Sequence, residues 1–296
     1  MSSLQIKPRC VWPLSAELGE GPVWSAGEEA LYFVDIKGQN IHRWSSPTEH
    51  ETWRMPEPVG FVQPLLDGGW VAGLKSGLHR FEPERFQKGT LPLLLAPEWD
   101  KPTNRLNDAF TDSQGRLWFG SMDDAEVEPS GKLYCVDKFG KAVAKDEGYV
   151  ITNGPCTSPD GRTFYHTDTL AKTIYAFDVE AGQVLANKRA LIRIENGYPD
   201  GTTVDAEGCL WIALFAGGRV ERYSKRGELL QSVQFPCSNV TKIAFGGADL
   251  CTAYATTAWK GMSEQKRTEQ PLAGGLFSFQ VDTPGLPQSL IRQGLH

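Results

Sequence analysis

One unit recurs along this chain and limits what it can fold into: a short strand, a tight turn and a second, apolar strand. It is plainest in Asn153-Gly154-Pro155-Cys156-Thr157-Ser158-Pro159-Asp160-Gly161-Arg162-Thr163-Phe164-Tyr165. A Pro-Asp-Gly turn there separates two strand-like stretches. The apolar strands begin near Leu31, Trp70, Leu117, Phe164, Leu210 and Ala253. Their starts lie roughly 40 to 47 residues apart, the period of propeller blades. A second landmark follows in each unit: Asn40-Ile41-His42-Arg43-Trp44, Gly77-Leu78-His79-Arg80-Phe81, Lys132-Leu133-Tyr134-Cys135-Val136, Thr173-Ile174-Tyr175-Ala176-Phe177, Arg219-Val220-Glu221-Arg222-Tyr223 and Gly275-Leu276-Phe277-Ser278-Phe279. These stretches alternate with period two, as half-buried strands do.

Two landmarks in six copies predict an all-β, six-bladed β-propeller with a central channel, formed by residues 1–296 as a single domain. No helical period is sustained, and no Gly-rich phosphate loop precedes a helix, which excludes a nucleotide-binding α/β fold. The apolar segment around Cys10-Val11-Trp12-Pro13-Leu14 has no blade of its own. It is expected to lend a strand to the last blade and so close the ring without a free sheet edge. Two stretches break the period, Asp123 to Gly131 and Lys260 to Pro271. Both read as loops between the second and third strands of their blades, on the face that admits substrate.

The net charge of −6 and pI near 5.5 argue against nucleic acid or an anionic membrane as a partner, since both need a basic face. The N-terminus has no apolar core of signal-peptide length. The six cysteines form no Cys-x-x-Cys pair, so reduced thiols and a cytoplasmic location are expected. Monomers or a weak homo-oligomer fit this picture.

In a propeller, residues at one repeat position meet around the axis at one height. Glu20, Gly60, Asn107, Asn153, Asp200 and Thr241 each lie roughly 10 to 12 residues before the second strand of their unit. Four of these six carry a carboxylate or an amide. Converging carboxylates in a channel need a cation, a proton or an arginine. A divalent metal held by Glu20, Asn153 and Asp200 meets that need with oxygen ligands alone. Such ligands suit Ca, Mg or Mn, and Zn and Fe(II) also bind them. Asn-Gly and Asp-Gly are otherwise ordinary turn signals; their shared register is what separates these from turns. Arg105, two residues before Asn107, reaches the same mouth if Asn107 faces the channel. The histidines show no zinc-binding spacing, and His166 reads as packed within its strand. No Gly-x-Ser-x-Gly elbow occurs. Cys156 reads as a core thiol.

Gly19-Glu20-Gly21-Pro22-Val23-Trp24, Phe33-Val34-Asp35-Ile36, Asn104-Arg105-Leu106-Asn107-Asp108, Ile151-Thr152-Asn153-Gly154 and Pro199-Asp200-Gly201 resemble the regucalcin-like family of senescence-marker protein, gluconolactonase and luciferin-regenerating enzyme. The resemblance covers nearly the whole chain. It implies a six-bladed propeller with one divalent metal, Glu20, Asn153 and Asp200 as its ligands, and Arg105 with Asn107 as the substrate-contacting pair. Within the family, Asn153-Gly154-Pro155-Cys156, Tyr165-His166-Thr167-Asp168-Thr169 and Asn187-Lys188-Arg189 are most similar to bacterial sugar lactonases, pentonolactonases such as xylonolactonase above all. In animal members an acidic residue two to three positions past the Met of a Gly-Thr-Met motif reaches the substrate. The motif in this chain is Gly120-Ser121-Met122 followed by Asp123-Asp124-Ala125, so either aspartate, or neither, takes that place.

The expected activity is opening of a sugar lactone to its aldonate, with Asp200 as the catalytic base. Gluconolactonase or arabinonolactonase activity is the nearest alternative. A calcium-binding regulator without enzymatic activity is the rival from another class.

Overall fold

The computed structural model describes residues 6–86, 91–181, 183–292 and 294–295. Met1–Gln5, where the reading for an export signal begins, and His296 lie outside that set. The described strands form six four-stranded antiparallel sheets. The first strands of the sheets are Gly19–Ser25, Val59–Pro64, Asn104–Thr111, Thr152–Thr157, Tyr198–Val204 and Asn239–Gly246. They contact one another in a closed ring around the axis. The chain is a six-bladed β-propeller, as the repeat period predicts.

The predicted apolar strands are the second strands, among them Ala30–Asp35, Leu117–Asp123 and Leu210–Phe215. They are apolar because both of their faces are covered. Six hydrophobic clusters lie one between each pair of neighbouring sheets. Trp118, Leu133 and Cys135 of the third sheet, for instance, meet Phe164 and Phe177 of the fourth. Phe33, Phe164 and Phe277 are almost wholly buried, and full burial of one such ring is worth about 1.5–3 kcal/mol. The second landmark forms the third strands, but burial there does not strictly alternate: in Asn40–Ser46 the adjacent Ile41 and His42 are both buried, as is Trp44, because neighbouring sheets cover both faces.

The ring closes as expected. Arg9–Trp12 pairs antiparallel with Leu276–Gln280, the strand contributed by the other end of the chain. Trp12 then packs edge-on against Phe33 and stacks on His50 of the first sheet. The six cysteines are unpaired. Among the described residues no helix is long and apolar enough to cross a membrane.

One expectation needs correction. The stretch from Lys260 to Pro271 is not loop throughout: Glu264–Glu269 is a short α-helix. Ser263 caps it, its hydroxyl accepting from the Lys266 amide at 3.3 Å. An acidic first turn and basic residues in the last turn complement the helix dipole.

Beyond its last strand the chain crosses the opposite face of the propeller. The Ala206 amide donates to Pro284 O, Leu66 N donates to Ile291 O, and Arg292 N donates to Gly115 O. This tail therefore touches the fifth, second and third sheets in turn.

Candidate functional site

Each first strand carries a register shift at the repeat position identified above. The shifts fall between Glu20 and Val23, Val59 and Phe61, Leu106 and Ala109, Asn153 and Cys156, Pro199 and Thr202, and Val240 and Lys242. A bulge of this kind bends the strand and re-aims its side chains. Gly21 and Gly154 take φ of 55° and 54° just after Glu20 and Asn153, a conformation costly for any other residue. Gly60 has a different reason: a Cβ there would lie 2.4 Å from Leu106 O. The second sheet therefore supplies no side chain at this height.

The bulges bring Glu20, Arg105, Asn107, Asn153 and Asp200 to the wall of one cavity of about 260 Å³. All five are nearly fully buried. Thr241 shares the register but turns away; its hydroxyl donates to Gly19 O at 2.6 Å. Apolar walls come from Leu18, Ile151, Tyr198 and Phe215.

A hydrogen-bond chain orders the polar side. Arg105 Nε donates to Asp124 at 3.0 Å and Nη1 to Asn107 Oδ1 at 2.5 Å. Asn107 Nδ2 donates to Thr152 O at 2.7 Å and to Asn153 Oδ1 at 2.9 Å. Asn153 Nδ2 donates to Thr169 at 3.0 Å. The amide orientations follow from this network: each nitrogen donates and each oxygen stays an acceptor. Arg105 Nη2 has no partner among the described residues and is left for whatever enters the cavity.

Glu20 and Asp200 lie against each other. Burial raises both carboxyls above the ordinary range; the Asp108 charge raises both further, and Glu20 raises Asp200, while the hydrogen bond between the two lowers Glu20. The nearby cations are already engaged. Arg105 pairs with Asp124, Lys242 with Asp108, and Lys260 with Glu126. Two carboxylates thus remain unmatched, facing an amide oxygen. Among the described residues no three His, Cys, Asp or Glu side chains converge; the set is two carboxylates and one amide, hard oxygen donors throughout. These residues fit a divalent ion.

Several neighbours escaped sequence reasoning. Asp108 and Lys242 sit one residue past Asn107 and Thr241, and both are buried. Glu126 and Lys260 line the same cavity. They come from the two insertions, which meet over the mouth through that ion pair. Neither Asp123 nor Asp124 lines the cavity. Asp123 accepts from the Val127 and Glu128 amides and folds its own loop, while Asp124 holds Arg105 and Lys37. The insertion itself was legible as substrate-facing; the residue that reaches inward was not. Burial leaves His166 neutral, its pKa lowered to about 3, and pushes the Cys156 thiol up to about 12, so both are packing groups.

The fold and this channel define a class: a six-bladed propeller whose inner strands carry an oxygen-rich site at one mouth. The chain belongs to the SMP-30/Gluconolactonase/LRE-like family, whose model matches residues 18–259. It is 34% identical over 291 residues to a 6-deoxy-6-sulfogluconolactonase of Pseudomonas putida, covering 95% of this chain and 97% of the other. It is 36% identical over 297 residues to regucalcin of Danio rerio, covering 97% and 98%. Its fold matches the crystal structure of a calcium-binding protein, regucalcin, from Agrobacterium tumefaciens with a TM-score of 0.92 at 26% identity, over 98% of both chains.

Proposed function

We propose that this protein is a metal-dependent lactonase that opens a sugar aldonolactone, a pentonolactone such as xylonolactone, to the open-chain aldonate. The observation that carries the reading is a pair of buried carboxylates without a cation. Of the carboxylates that line the cavity, Glu126 pairs with Lys260, while Glu20 and Asp200 pair with no Lys or Arg among the described residues. One divalent ion held by these two and Asn153 would balance them. Relatives named as a lactonase and as a calcium-binding protein support both halves of this reading.

The cavity, at about 260 Å³, lies just below the span of about 300–1,000 Å³ that accepts drug-sized ligands. A single sugar ring is the appropriate size, with Tyr198 and Phe215 as its apolar bed.

The bound ion would supply Lewis acidity toward the ester oxygen. The chain's own residues do the rest. Asp200 accepts the proton of the attacking water; general-base help of this kind is worth about 10²–10⁴-fold. Arg105 donates from its free Nη2 to oxygen as negative charge develops there. Asn107 fixes the Arg105 side chain and the Asn153 amide together, so the ring is oriented against a preformed wall. Glu126 accepts from ring hydroxyls at the mouth.

Acid release by pH-stat from xylono-, arabinono-, glucono- and galactonolactones tests this, with metal-stripped protein compared against protein given each divalent ion. Metal-dependent turnover above spontaneous hydrolysis, strongest on a pentonolactone, is expected. Asp200→Ala should lose at least about 10²-fold in kcat. Preference for gluconolactone would move the substrate within the class. Metal binding with no turnover on any lactone would overturn the enzyme and leave the calcium-binding regulator.

A further inference from the structure

The buried pair Asp108–Lys242 takes no part in the reaction just outlined. Asp108 comes from the first strand of the third sheet and Lys242 from that of the sixth. They are 134 residues apart in sequence and meet across the channel axis. Both are less than a tenth exposed. A buried ion pair is a poor device for stability alone, because desolvation offsets most of its attraction. Its position suggests another use.

Each partner holds a neighbouring bulge. Asp108 Oδ2 accepts from the Gly154 amide at 2.8 Å, directly after Asn153. Asp108 Oδ1 also accepts from the Ala109 amide at 2.8 Å, which locks its own rotamer. The Lys242 stem lies on Gly201, directly after Asp200: a Cβ on Gly201 would fall 2.4 Å from Lys242 Cβ and Cγ. One ion pair thus touches four of the six sheets and the backbone beside two of the three candidate ligands.

We propose that Asp108 and Lys242 are positioning residues for the metal centre, bracing the Asn153 and Asp200 bulges from below and presenting a cancelled charge to the ion. The proposal rests on the metal site of the functional reading, not on the identity of the substrate. Lys242 offsets Asp108, which alone would add a third uncompensated carboxylate near Glu20 and Asp200 and so attract the ion more strongly at the expense of the metal-free cavity. Asp108 is needed because a lone ammonium there would repel a divalent ion. Groups one shell behind metal ligands commonly set affinity in this way.

The two variants that isolate the charges keep the shapes. Asp108→Asn leaves an oxygen for the Gly154 amide, and Lys242→Met keeps a stem against Gly201. Calorimetric titration of the full-length protein with Ca²⁺ and with Mn²⁺ reads the effect, and thermal melting confirms that each variant is folded. Asp108→Asn should weaken binding about 10- to 100-fold. Adding Lys242→Met to it should restore binding, because the stranded ammonium is gone. Lys242→Met alone should tighten binding. Opposite signs for the two single variants, with rescue in the double, are not what general disruption produces. Wild-type affinity in Asp108→Asn, or a double variant no better than it, overturns the proposal. If Asp108→Asn does not fold, the sign of Lys242→Met decides. If the wild-type protein binds neither ion, the metal reading falls on its own. Hydrogen exchange then judges the brace: Asp108→Ala, which removes the acceptor for the Gly154 amide, should speed exchange in Thr152–Thr157 and leave Gly19–Ser25 unchanged, and equal exchange in both overturns it.

Discussion

Glu20 and Asp200 retain protons above the ordinary carboxylate range because burial disfavours their charged forms and the Asp108 charge opposes both, with Glu20 also opposing ionisation of Asp200. In the unfolded chain both ionise near pH 4. Between that pH and their raised folded values the native, metal-free protein binds more protons than the unfolded one. Stability from this pair therefore falls as pH rises through that window. A divalent ion reverses the penalty, since it prefers the ionised forms. Relative to a Glu20→Gln/Asp200→Asn variant, the melting temperature of metal-stripped protein should drop between pH 4 and neutrality, and Ca²⁺ should raise it most at the neutral end. Differential scanning at stepped pH checks both slopes. Glu20, Asn153 and Asp200 were legible in the sequence because they share a repeat position. Glu126 was not, because its loop has no period to count from.

The strands place those side chains, and their bulges are the sensitive parts. Gly154→Ala would put a Cβ 2.6 Å from Thr202 Cβ at a φ of 54°. The left-handed conformation alone costs about 1–2 kcal/mol in an alanine. Relief of the clash should swing Asn153 out of line, so the variant should lose metal affinity and turnover as well as stability. The turns between first and second strands explain a second part of the repeat. Asp205 accepts from the Glu207 and Cys209 amides at 3.0 Å and from Trp211 Nε1 at 2.9 Å, and it pairs with Arg222 at 2.8 Å. Asp112 does the same for Trp118 in the third sheet. Asp-x-x-Gly followed by Leu-Trp is therefore one capped unit, visible as a motif and intelligible once the indole is seen on the carboxylate. Asp205→Ala should cost about 3 kcal/mol, the lower end for breaking a buried pair, since Arg222 is partly exposed. Urea denaturation measures it. The turnover number should hold, because this unit lies away from the cavity wall.

At the scale of the molecule, the period predicts six sheets and their closure by Arg9–Trp12, because local pattern repeats faithfully. Contacts across the ring carry no such trace. Asp108 with Lys242, and Glu126 with Lys260, each join positions 134 residues apart. Sequence separation of that size leaves nothing for a motif to report. The tail is the third such feature. Leu286, Pro287, Gln288 and Ser289 line a cavity at the other end of the channel, which Lys242 also reaches. The described tail thus lies across that end of the ring, with the Asp108–Lys242 pair between it and the site. On the lactonase reading, substrate and product then share the mouth under Glu126 and Lys260, and arrivals must wait for departures. An opened acid still inside blocks the next ring from entering at all. The aldonate product should accordingly inhibit as a pure competitor of its lactone, raising KM and leaving kcat untouched in initial-rate plots.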